Sequence, residues 1–169
     1  MFRAMTATLE APPYARASEG LSEYELERGK PMPSKNHSLI QARLIIAFSS
    51  SQDFEAASEL TLDLGMGSPV TPDIALLPLT AMNLWEDETR YTKPPVTVVE
   101  IVSPSQSSSE MMKKVHAYLA HGVLSCWLVD PPLHQIIVFN ADGTRKIFEE
   151  GLATDPVTGV TADLAKVFA

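Results

Sequence analysis

Glu100 is the residue whose surroundings are hardest to account for without chemistry. It stands inside VTVVEIV (96–102), the strongest strand pattern in the chain. On a strand, Val98, Glu100 and Val102 share one face, and Thr97, Val99 and Ile101 share the other. Both faces are mainly apolar, as in a strand covered on both sides. A carboxylate there is costly unless a cation or hydrogen bonds compensate it. Two compensations are open: a structural pair with an Arg or Lys, or a bound metal ion. Asp73 follows Pro72 within VTPDIALL (70–77), a second β-rich run. Two strands placing such carboxylates side by side could hold Mg²⁺ through oxygen ligands. Taken alone, a Pro-Asp pair is ordinary turn chemistry. Other chemistries leave no trace. His116 and the single cysteine, Cys126, show no zinc-ligand spacing. There is no P-loop, dinucleotide fingerprint or Ser-His-Asp signature.

These carboxylates need elements to position them. Residues 1–19, with Pro12-Pro13 and little periodicity, read as a loose tail, and 20–169 as a single domain. Leu21 to Gly29 reads as a short helix, with Ser22 and Glu25 at capping-box spacing. A clear helix is expected over Asn36–Ser49, with Leu39, Ile40, Leu44, Ala47 and Phe48 on one face. His37 and Gln41, four apart, share another strip of it. Strands are expected at Glu59–Leu64, Val70–Leu77 and Val96–Val102, with a polar loop over Ala81–Lys93 anchored by Trp85. A helix over Ser108–His121, stopped by Gly122, leads to a strand at Leu124–Val129 that carries a core Trp127. His134–Phe139 and Thr144–Phe148 flank Asn-Ala-Asp-Gly, a hairpin turn. A short helix is expected within Val157–Phe168. The strands near 97 and 124 are joined by a helix of crossover length, so they are expected to run parallel. The sum is an α/β (α+β) fold, a mixed β-sheet flanked by helices.

With 169 residues, the chain is long enough for one sizeable core. One cysteine allows no intramolecular disulfide and points to a reducing compartment, so a cytoplasmic protein is expected. No apolar run is long enough to span a bilayer, and no membrane partner is expected. The net charge of −8 counts against a nucleic-acid enzyme, because phosphate binding favours basic surfaces. A metal site concentrates carboxylates and becomes less negative once loaded, and a local basic groove can sit on an acidic protein.

Three segments together resemble a known family. YELERGKPMPSKNH (24–37), TPDIALLP (71–78) and PPVTVVEIVSPSQSSSEMMKKVHAYLAHGVLSCWLVDP (94–131) follow, in order, the pattern of the PD-(D/E)XK, or restriction-endonuclease-like, superfamily. More narrowly they resemble its Uma-type branch. The resemblance implies an αβββαβ-type core and an endonuclease dependent on Mg²⁺ or Mn²⁺, acting on DNA. It implies that Asp73, Glu100 and the main-chain carbonyl of Ile101 hold the metal. The superfamily's Lys, two residues after the Glu, is here Val102. The branch carries a Lys in the following helix instead, and Lys114, four residues before Tyr118, matches that place. Glu110, Lys114, Tyr118 and His121 form a polar strip of that helix, and Met111, Val115 and Leu119 an apolar one. Lys114 would reach over the sheet edge toward Glu100, with Lys113 as its competitor and a surface pair with Glu110 as the plain alternative. Glu25 and His37 match the branch's first segment as accessory residues, and Gln41 sits one turn after His37. The branch often has Glu where this chain has Lys30. A homodimer is expected, since a small acidic nuclease gains a composite groove that way. The alternative is a catalytically silent nuclease-fold module that binds a partner protein, which the acidic surface favours.

Overall fold

Ser34 opens the first helix of the computed structural model, which describes residues 33–103 and 106–169. The tail over 1–19, the helix over Leu21–Gly29 and the candidate Glu25 lie outside the described residues. The Ser34 hydroxyl accepts from the His37 main-chain N–H and so caps α1, Lys35–Phe48. Ile40, Leu44 and Phe48 make its buried face. Six strands follow: β1 (Phe54–Ser58), β2 (Ile74–Pro78), β3 (Thr97–Ile101), β4 (Ser125–Asp130), β5 (Gln135–Asn140) and β6 (Arg145–Phe148). They form one sheet in sequence order. β3 and β4 run parallel, as expected, because α2, Ser108–Ala120, crosses over between them. The other neighbours are antiparallel. The chain closes with a small antiparallel ribbon, β7 (Leu152–Thr154) and β8 (Thr161–Asp163), and a final turn of helix, α3 (Leu164–Val167).

The sheet buries both faces. Val99, Ile101, Ile74, Leu76, Trp127 and Val129 pack with α1, the ribbon and α3. Phe48 meets Trp127 edge to face at 5.3 Å, so Trp127 is core as expected. Val98, Cys126 and Leu128 pack on the other face with Met111, Val115 and Tyr118 of α2. All five residues of β3 are buried. This is the doubly covered strand that its sequence implied. Asp155, fully buried, ties the ribbon to the sheet. Its carboxylate accepts from Ser125 Oγ, Trp127 Nε1 and the main-chain N–H groups of Val157 and Thr158.

Three expectations need correction. The strand expected at Glu59–Leu64 lies earlier, at Phe54–Ser58, and Glu59 leaves it with φ of 51°. The alternation in ELTLDL is real but serves another purpose. Leu62 is fully buried, and Leu60 and Leu64 pack with it against the α2-side cluster. The segment is held by bridges from Leu62 to Val70 and Tyr91, and the Glu59 main-chain N–H donates to the Asp73 carbonyl. The second strand starts at Ile74 rather than Val70, because Val70 bridges to Leu62 instead of joining the sheet. Trp85 is no anchor; it is 96 % exposed on its loop. The short helix expected within Val157–Phe168 is the turn at Leu164–Val167, and the unforeseen ribbon of β7 and β8 precedes it.

Gly122 ends α2, as expected. Its φ is 95°, and a Cβ there would meet Pro94 Cγ at 3.0 Å. Gly122→Ala combines left-handed strain with that clash, so it should cost about 1–3 kcal/mol of stability. Urea unfolding with unchanged m-value measures it; a change below a few tenths would show that the turn relaxes freely.

Candidate active site

Pairing of Ile74 with Val99 sets the register that brings the two carboxylates together. One step outward along the same antiparallel ladder, Asp73 faces Glu100 at the end of the sheet where β3 finishes. Asp73 Oδ2 accepts from the Ile101 main-chain N–H at 2.7 Å. Its other oxygen, Oδ1, lies 3.1 Å from His37 Nε2. Gln41 Nε2 donates to the Asp73 carbonyl at 2.7 Å. The His37–Gln41 strip of α1 thus holds both the side chain and the backbone of Asp73. His37 Nδ1 is buried and has no hydrogen-bond partner among the described residues.

Glu100 meets α2 and is 3 % exposed. Lys114 Nζ reaches its Oε2 at 3.0 Å. Tyr118 donates its hydroxyl to Oε1 at 2.7 Å. Lys113 is exposed, one residue and about 100° away around the helix. Glu110 does not pair with Lys114. It closes a capping box with Ser107 at the start of α2. The apolar strip of α2 also differs from expectation: Tyr118, not Leu119, is fully buried with Met111 and Val115. Its hydroxyl can enter the core because Glu100 is there to accept from it. Val102, where the superfamily places Lys, packs against the same cluster. The ammonium therefore arrives from the helix above.

Burial pushes the Glu100 carboxyl above its ordinary pKa, Lys114 pulls it back, and the charge of Asp73 raises it again. The Tyr118 phenol is driven far up by burial and by Glu100, so it stays a donor. Burial likewise raises the Cys126 thiol, with Glu100 adding to the shift.

Two neighbouring carboxylates, oxygen donors held from several sides, match the ligand chemistry of Mg²⁺ or Mn²⁺. No group of three His, Cys, Asp or Glu side chains suited to a metal exists among the described residues. Each carboxylate oxygen keeps a second lone pair after its present bond. Ile101 turns its N–H to Asp73, and in extended backbone its carbonyl faces the same edge. Sequence reasoning passed over Tyr118 as a site residue. Its signal was present: it lies four residues after Lys114, on the same strip.

A family model described as Uma2, putative restriction endonuclease, matches residues 16–165. In three dimensions the chain is similar to a putative nuclease from Anabaena variabilis ATCC 29413. The TM-score is 0.71 at 25 % identity, over 82 % of this chain and 83 % of that one. No curated protein matches the chain.

The raised Glu100 pKa has a consequence for stability. The folded chain holds the Glu100 proton more tightly than the unfolded chain does. This contribution is full below the ordinary carboxylate pKa and is lost as pH rises through the raised value. In chelator, the melting temperature of the wild type should fall through that window. Glu100→Gln should lack this fall and be the more stable protein above it. Parallel pH profiles for the two proteins would contradict the assignment.

Proposed function

The chain belongs to the Uma2 putative restriction endonuclease family, and on that premise we propose that it is a divalent-metal-dependent endonuclease that cuts DNA. One observation carries the reading: two carboxylates from neighbouring strands meet at a sheet end, and the ammonium of Lys114 lies 3.0 Å from one of them. Asp73, Glu100 and the Ile101 carbonyl hold Mg²⁺ or Mn²⁺. The cation, when bound, offsets phosphate charge and acidifies water. The chain's own residues do the rest. The His37 and Gln41 contacts fix Asp73. Lys114, with its side chain 39 % exposed, is open to a phosphate on one side while it touches buried Glu100 on the other. It neutralises charge that develops on the phosphoryl oxygens during attack.

The reading includes a homodimer, for which two-fold symmetry is the commonest arrangement, and light scattering at micromolar concentration tests it. The single, buried cysteine suits a reducing cytoplasm. Among the described residues, no helix is long and apolar enough to cross a membrane.

The net charge of −8 favours a second reading, a silent nuclease-fold module that docks on a protein. Metal titration separates the two: the silent module need not bind Mn²⁺, whereas the enzyme must. With supercoiled plasmid and Mn²⁺, Lys114→Ala should lose about 10²–10³-fold in rate and still bind Mn²⁺, because both carboxylates remain. Lys113→Ala should cut like the wild type. A dead Lys113→Ala beside an active Lys114→Ala would mean that the functional lysine is misassigned by one residue.

A further inference from the structure

The two oxygens of Glu100 are treated differently by the fold. Oε2 meets Lys114, whose side chain is 39 % exposed, while the Glu100 side chain itself is 4 % exposed. Oε1 is closed off by Tyr118, whose side chain is completely buried. Tyr118 is itself fixed twice. Its ring belongs to the cluster of Met111, Val115, Val98 and Cys126. Its main-chain carbonyl accepts from the N–H groups of His121 and Val123, at the turn that ends α2. The hydroxyl is therefore delivered to one place by a rigid element. A glutamate side chain has several rotatable bonds, and ordering it costs entropy each time a cation binds. A donor that already holds one oxygen removes that cost and sets which oxygen is offered.

We propose that Tyr118 is a positioning residue of the cation site, its hydroxyl locking Glu100 Oε1 so that Glu100 presents only Oε2 to the divalent ion. The inference rests on the metal site argued above. It goes beyond that site by assigning a role to a residue that touches neither cation nor substrate. A purely structural role would instead need the hydroxyl only to satisfy a buried carboxylate.

The test is Mn²⁺ binding by the full chain without nucleic acid, read from the EPR signal of free Mn²⁺. Four proteins are compared: wild type, Tyr118→Phe, Phe139→Leu, and a chain with 4-aminophenylalanine at position 118. Tyr118→Phe keeps the ring and loses the donor, so Mn²⁺ affinity should fall by about 10–100-fold, the usual scale for groups that orient metal ligands. Phe139→Leu weakens the same cluster from β5, away from the helix that carries Lys114 and Tyr118. It should melt earlier and bind Mn²⁺ as the wild type does. The amino group restores a donor at the same place and should recover most of the affinity. In plasmid cleavage, the Mn²⁺ half-saturation of Tyr118→Phe should rise by the same factor, while the rate at saturation stays closer to wild type. If Tyr118→Phe does not fold, the aminophenylalanine chain alone decides, because its weaker donor should lower affinity by a smaller but measurable factor. Wild-type affinity in the donor-deficient chain, with the wild type binding Mn²⁺, overturns this inference and leaves the metal site standing. Equal losses in Tyr118→Phe and Phe139→Leu also overturn it, as they would show a packing effect. A wild type that binds no Mn²⁺ overturns the metal site and this inference together.

Discussion

Taking the Glu100 carboxylate out of water is the constraint to which its surroundings answer. A buried ion loses several kcal/mol of hydration even after the protein relaxes around it. Asp73, one step along the ladder, adds like-charge repulsion. Against this stand one ammonium and one hydroxyl, both from α2. The helix could not carry them there unless β3 and β4 ran parallel, because only a parallel pair needs a crossover that lies over the sheet. The topology and the charge pattern therefore support each other. On the opposite side, the first two turns of α1 do the same for Asp73 through His37 and Gln41. The two carboxylates come together at the sheet end, and each is held by its own helix.

Much of this was legible in the chain because the signals were local. An acidic residue inside VTVVEIV marks a buried carboxylate by pattern alone, and the helical spacing of His37 and Gln41 puts them on one strip. The parallel pair followed from the length of the connection. What stayed hidden depended on contacts distant in sequence. FEAAS has too few large apolar residues to read as a strand, and becomes one because β2 lies beside it. ELTLDL has the right period and the wrong role, since its leucines cover the α2 side instead of joining the sheet. Three-residue strands such as β7 and β8 carry no usable periodicity. Asp155-Pro156 reads as a turn, and nothing nearby reveals that its carboxylate collects donors from Ser125 and Trp127. Tyr118 was placed on a polar strip by its type, although its ring is wholly buried.

The move of the lysine from strand to helix changes what fixes it. Two residues beyond Glu100 on β3, a side chain would be set by the pleat and share Glu100's face. That position is Val102, which packs with the α2-side cluster. Lys114 is set instead by the rotation of α2 about its axis, which Met111, Val115 and Tyr118 fix by their burial. Turning the helix by one residue would bring Lys113 round and carry the Tyr118 hydroxyl away from Glu100. The packing of three side chains thus selects which of two adjacent lysines meets the carboxylate. The exposure of Lys113 is the visible result.

Cys126 lies in the same cluster as these helix side chains, fully buried beneath Glu100, and it is the chain's one thiol. Its raised pKa keeps it as an unreactive thiol while the helix is docked. Any excursion that lifts α2 from the sheet also uncovers this sulfur and returns it to thiolate chemistry. The molecule thus carries its own clock for local opening. The rate at which an alkylating reagent captures Cys126 reports how often the helix that brings Lys114 leaves the sheet, with no label introduced and no residue changed.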